Sequence, residues 1–144
     1  MENISESTSQ PYRLYSDRAI FIATVLGGPL VAGYLASTNF NLTGERKKAK
    51  TAWIISIIAS IIIFGSIFLI PAIEKAPNFL IPLIYGSIAQ ALVKKYQGAM
   101  IEHHIQDGGT MHSSWRAAGI SIIGAAITLA ILLVIVYFIY GIPL

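Results

Sequence analysis

The sequence predicts an all-α integral membrane protein, a four-helix bundle whose first segment is kinked or re-entrant at Gly27-Gly28-Pro29. Three observations predict it. Four long apolar blocks fill a chain of 144 residues, of which 55% are hydrophobic and 12% charged, about half the charged share of a soluble domain. No Asp, Glu, Lys, Arg or His lies in the middle of any block. The first block carries a Gly-Gly-Pro interruption. At about 20 residues per crossing, four crossings leave only short connections and no room for a separate soluble domain. Residues 1–17 read as a polar tail and 18–144 as one transmembrane helical domain, with segments at about 18–37, 51–71, 78–93 extending to about 106, and 115–140.

The tail carries two Glu before its first Arg, unlike the basic start of a secretory signal peptide, so the first block is expected to be retained. Within that block Pro29 lacks an N–H and clashes with the carbonyl four residues back, which predicts a kink or break near Val25. Either a kinked span or a re-entrant pair of half-helices satisfies the pattern, because neighbouring helices can re-satisfy the freed backbone. Asn39 to Gly44 reads as a turn-rich linker, followed by the densest charge in the chain, Glu45 to Lys50.

The second block has no internal charge and ends at Pro71. The connection Pro71 to Pro77 is short. Asn78 is the expected cap of the third segment, with Pro82 in its first turn, where proline is tolerated. That segment is short for a crossing, but its pattern continues through Lys94, Tyr96 and Met100 to Ile105, so the helix is expected to project beyond the membrane until Gly108-Gly109 ends it. Ser113-Ser114 supply the cap of the fourth segment, which is long enough to span with tilt, and Gly141 and Pro143 close the chain.

Basic residues mark the sides. Arg46, Lys47, Lys48, Lys50, Lys94, Lys95 and Arg116 lie in the first and third connections and Lys75 alone in the second. The first and third loops are therefore expected to be cytoplasmic, with the second loop and the C-terminus outside. The N-terminus is outside if the first block crosses and inside if it re-enters; Arg13 and Arg18 favour inside. Trp53 and Trp115 then fall at the cytoplasmic interface, and Tyr137 and Tyr140 at the outer one. The formal charge of +3 comes from cations placed beside apolar blocks, so it is a topology signal rather than a nucleic-acid surface. Arg46, Lys47, Lys48 and Lys50 are candidate contacts for anionic lipid headgroups.

Lipid provides no hydrophobic drive between helices, so small residues must let backbones approach. The sequence supplies such faces: Gly28, Ala32 and Ala36 in the first block; Ala52, Ser56, Ala59 and Ser60 in the second; Ala117, Ser121, Gly124, Ala125 and Thr128 in the fourth.

Candidate chemistry is sparse. An ion-coupled pump normally places ionisable groups inside its spans, and these spans hold none. Tyr85 and Gln90 are the strongest intramembrane polar residues, Gln90 being suited to hydrogen-bond another helix. One stretch gathers every histidine with two carboxylates: Glu102, His103, His104, Asp107 and His112. Imidazole and carboxylate suit Zn, Ni or Fe, and His103 and Asp107 share a helix face at i, i+4. Adjacent histidines nevertheless point to different sides of a helix, and no HExxH pattern is present, so a solvated turn is the expectation and no metal or cofactor is assigned. No G-x-S-x-G elbow and no cysteine is available for nucleophilic catalysis.

The run Ile22-Ala-Thr-Val-Leu-Gly-Gly-Pro-Leu-Val-Ala-Gly-Tyr34, followed by Asn39, Gly44 and a basic run, and later by Gly108-Gly109 with Ser114-Trp115-Arg116, resembles a motif of small uncharacterised polytopic bacterial inner-membrane proteins. The resemblance covers about residues 18–120 and implies a bacterial cytoplasmic membrane, with no residue role attached. The expected function is that of a non-enzymatic accessory or interaction subunit of an inner-membrane assembly, whose partners are the lipid bilayer and other membrane subunits or a second copy of itself. The alternatives are a small homo-oligomeric channel or carrier lined by the Gly27 to Pro29 break and Gln90, and an immunity protein against a membrane-acting toxin.

Overall fold

The computed structural model describes residues 11–70, 75 and 77–141. The polar tail up to residue 10, most of the Pro71 to Pro77 connection and Pro143 lie outside the described residues. The chain is all-helical: α1 (Asp17–Gly27), α2 (Pro29–Leu42), α3 (Arg46–Leu69), α4 (Leu80–Gln106) and α5 (Ser114–Tyr140), with a two-residue parallel bridge between β1 (Arg13–Leu14) and β2 (Thr110–Met111). Two helices, α3 over Arg46–Ile67 and α5 over Ser114–Tyr140, are long and apolar enough to cross a membrane.

Among the described residues five helices stand where four segments are expected, because the first apolar block is fully broken rather than bent. The break falls at Gly28, not near Val25. Gly28 adopts φ +87°, a left-handed region that a side chain disfavours, and Pro29 at the first position of α2 has its φ pre-set for helix and no N–H to lose. Ser16 caps α1, its hydroxyl accepting from the Ala19 N–H at 3.1 Å. The chain then doubles back: Tyr15, ahead of α1, is bonded through both its N–H and its carbonyl to Asn39, near the end of α2. The first block is thus an antiparallel helical hairpin with its tip at Gly28 and its open end at Tyr15 and Asn39.

Other boundaries move for local reasons. Asn39, expected in a linker, lies inside α2, which runs on to Leu42 before Gly44 (φ +84°) turns the chain. Helix α3 absorbs the basic run and starts at Arg46. Phe79 rather than Asn78 occupies the cap position of α4, with no side-chain cap bond. The long reach of α4 to Gln106, the turn at Gly108 (φ +77°), the Ser113 cap and the left-handed Gly141 after α5 follow the expectation.

The hairpin is the hub of the fold. Helix α3 packs on α2, while α4 and α5 pack mainly on α1, and packing among the three long helices themselves is marginal. Ala19, Ile20 and Ala23 of α1 and Val31, Leu35 and Ala36 of α2 form the buried centre. Small residues permit the approach: Ser56, Ser121 and Gly124 of the expected faces take part, joined by Gly27, Gly33 and Gly86, which those faces do not include. A Cβ on Gly27 would sit 2.7 Å from the Ser121 carbonyl oxygen and 2.8 Å from its Cα; one on Gly86 would sit 2.6 Å from Val25; one on Gly33 would overlap Ser56. Ser56, Ser60, Ala117 and Ser121 are buried at these seams. Two of the serines close their hydroxyls onto backbone carbonyls one turn back, Ser60 to Ser56 and Ser121 to Ala117, both at 2.7 Å, which satisfies those hydroxyls within the close faces.

Candidate functional site

Two parts of the fold concentrate polar groups: the open end of the hairpin, where the cations gather, and its tip. Of ten Lys and Arg, Lys75 alone lies beyond the opposite ends of α3 and α4. The β1–β2 bridge brings Arg13 to the same end as the α4–α5 connection.

At the open end Asn39 acts as a backbone mimic. Its Oδ1 accepts from the Tyr15 N–H at 2.8 Å, and its Nδ2 donates to the Tyr15 carbonyl and to Gln97 Oε1, each at 2.9 Å; Gln97 Nε2 then donates to the Ala36 carbonyl at 2.8 Å. Asn39, Gln97 and Tyr15 are 0%, 1% and 2% exposed, so every bond is shielded from water and each loss would strand a buried group. This latch ties the start of α1, the end of α2 and the middle of α4 together. One and two helical turns of α4 closer to the tip, Asp17 lies 3.6 Å from Lys94 Nζ and accepts from Gln90 Nε2 at 3.0 Å. Beside them an open cavity of about 340 Å3 follows α4, lined by Gly98, Ile101 and Ile105 together with Asp17, Lys94 and Glu102.

The histidine stretch does not converge. His103 pairs with Asp107 at 2.8 Å on the exposed side of α4. His104 is 4% exposed, stacks on Tyr12 with ring centres 5.1 Å apart, and holds the Thr110 carbonyl at 3.0 Å through Nε2. His112 packs on Tyr15 at 4.4 Å, and its N–H donates to the Leu14 carbonyl. Burial, with Arg116 and Arg13 nearby, lowers the His112 pKa from its ordinary value. Glu102 is exposed. Among the described residues no three His, Asp or Glu side chains form a group that could hold a metal ion. Two of the three rings instead staple β1 and the α4–α5 connection to the hairpin.

The remaining predicted positions separate. Gly27, Gly28 and Pro29 are all buried at the tip, where Phe64 of α3, Gly86 of α4 and Gly124 of α5 surround the hairpin's end. Gln90 lies at the opposite end of α1, about 16 Å away for a helix of 11 residues, so it and the break do not line one cavity. Tyr85 is half-buried on α4. Arg46, Lys47, Lys48 and Lys50 are exposed on the first turns of α3, Lys48 pairing with Glu45. Asn39, Gln97, Tyr15 and Asp17 are polar organisers that sequence reasoning missed. A signal existed for Gln97, which shares a face with Val93 and Ile101 at i−4 and i+4. Comparison with family models, with curated proteins and with solved structures finds no match for the chain.

Proposed function

We propose that the chain is a non-enzymatic accessory or interaction subunit of a bacterial inner-membrane assembly, built as three crossings around a re-entrant hairpin. One observation carries the reading: the most apolar helices are the least covered. None of the most apolar 18-residue stretch of α5 is buried, and 11% of that of α3; Phe138 stands 78% exposed. In water a contiguous apolar surface of that size is a liability, whereas lipid covers it without cost. The buried seams, by contrast, are made of Gly, Ala and Ser, the residues by which helices associate in lipid.

Several features support the topology. The concentration of cations at the open end makes that end cytoplasmic, and the hairpin returns the chain to it, so the N-terminus and the α2–α3 connection share a side. A hairpin arm of 11 residues reaches about 16 Å, half of a hydrocarbon core about 30 Å thick. Helices α3, α4 and α5 then cross, leaving the C-terminus outside. Exposed Arg46, Lys47 and Lys50 meet the headgroup layer, where anionic lipid supplies their counter-charge. The cavity beside Gly98 and the uncovered face of α4 leave room for a partner at the cytoplasmic surface. A pathway through the bundle finds no support, since the closed core of Ala19, Ile20, Ala23 and Leu35 separates Gln90 from the break.

Purification from native membranes in mild detergent, with crosslinking beforehand, tests the reading. Co-purifying membrane proteins or a defined homo-oligomer are expected. A strictly monomeric species without associated proteins contradicts it.

A further inference from the structure

At the open end of the hairpin the fold draws basic groups from three chain segments together. The β1–β2 bridge sets Arg13 in register with Thr110, and the His112 N–H donates to the carbonyl of Leu14, the residue after Arg13. Arg116 follows His112 by one helical turn, in the first turn of α5. Among the described residues the charged groups acting on the His112 ring are both cations: after burial, Arg116 and then Arg13 hold its pKa below the ordinary value. Neither guanidinium has a carboxylate partner among the described residues, where the carboxylates in pairs serve Lys48, Lys94 and His103. The bridge that closes this end of the fold therefore gathers like charges without a counter-ion.

Beside Arg116 stands the most exposed large apolar side chain among the described residues, Trp115, at 87%. Arg13 and Arg116 are exposed as well. Tryptophan settles at the boundary between headgroups and acyl chains, so in a membrane Trp115 fixes the depth of the cluster at the cytoplasmic headgroup layer. The anion at that depth is the lipid phosphate, and a guanidinium fork matches a phosphate oxyanion through two parallel N–H donors. The basic run of α3 differs, since its cations lie along one helix and Glu45 already pairs with Lys48.

We propose that Arg13, His112 and Arg116 form a binding site for the phosphate of an anionic phospholipid, whose acyl chains lie against Trp115. The bound headgroup supplies the missing counter-charge and ties β1, at the open end of the hairpin, to the start of α5. The site rests on the membrane reading above, and its test separates the two.

Trp53→Phe leaves Trp115 as the single tryptophan of the chain, so its fluorescence in liposomes reads lipid contact at the site. Quenching by phosphatidylglycerol with brominated acyl chains is compared with quenching by brominated phosphatidylcholine. At about fivefold for each cation near an anionic headgroup, Trp115 is expected to favour phosphatidylglycerol by about tenfold or more, and Arg13→Gln or Arg116→Gln to cut that preference about fivefold. Lys47→Gln, on a helix that packs on α2 rather than α5, should leave it within about twofold, because distant surface charges are screened. That pattern supports the site. Equal quenching by the two lipids, or a fall with Lys47→Gln as large as with the arginine variants, overturns the site and leaves the membrane reading standing. Loss of the preference on adding inorganic phosphate at constant ionic strength marks a seat for soluble anions and overturns the lipid assignment. No quenching by either lipid overturns the site and the membrane reading together.

Discussion

Replacing Gly27 with alanine is expected to destabilise the fold by about 1–3 kcal/mol, the cost of forcing volume into a packed seam. The added methyl would meet Ser121 through its carbonyl oxygen and Cα at 2.7 and 2.8 Å, and Val31 Cγ2 at 2.6 Å. Two of those atoms are backbone, so relief requires α5 to move away from α1 as a body. The same change at Gly98, where nothing lies within 4 Å, is expected to be neutral or to stabilise by about 0.5–1 kcal/mol, since alanine is the better helix former. Thermal unfolding of both variants in one detergent checks the pair. Equal melting temperatures for the two would remove the claim that α5 is seated on Gly27.

Asn39→Leu carries the other large effect. It keeps the branched skeleton of the side chain and removes three hydrogen bonds, stranding the Tyr15 N–H, the Tyr15 carbonyl and Gln97 Oε1 in a fully buried place. Each stranded group costs about 1–3 kcal/mol, and because they form one network the sum is not additive, so a loss of about 3 kcal/mol or more is expected. Adding Gln97→Leu removes the stranded Oε1 but also the bond that Gln97 Nε2 donates to the Ala36 carbonyl, so the double variant is expected to lose less than the two single changes added together. Limited proteolysis adds a local readout. The segment around Tyr12 to Tyr15 should become cleavable in Asn39→Leu before the helices do, since the latch holds that segment to the hairpin. A variant that melts like the wild type, with the segment still protected, would show that Asn39 is not its anchor.

Much of this architecture was legible in the residues, and the exceptions have a common cause. Helix α5, the end of α4 at Gly108 and the Ser113 cap follow from local rules that act within one turn of chain. The small-residue faces are legible too, because close approach demands them whatever the partner helix. The Gly27-Gly28-Pro29 interruption announced irregular backbone but left kink and hairpin open. What decides between them is the long-range clamp of Asn39 on Tyr15, across 24 positions, and no local pattern records it. Asn39 reads as a linker residue because Asn favours turns, yet its amide serves as a buried stand-in for backbone. The histidine stretch departs from expectation in another way: it reads as a solvated turn with rings pointing apart, yet His104 is buried and both His104 and His112 stack on Tyr12 and Tyr15, long-range contacts that a local pattern does not record.

The central claim is that the first apolar segment enters and leaves the membrane on one side. Single cysteines at Pro11 and Asn41, both exposed and flanking that segment, can be labelled with an impermeant maleimide in sealed vesicles of known orientation. The expected result is that both react from the cytoplasmic face alone. Reaction of Pro11→Cys from one face and Asn41→Cys from the other would mean a full crossing, and would contradict the hairpin.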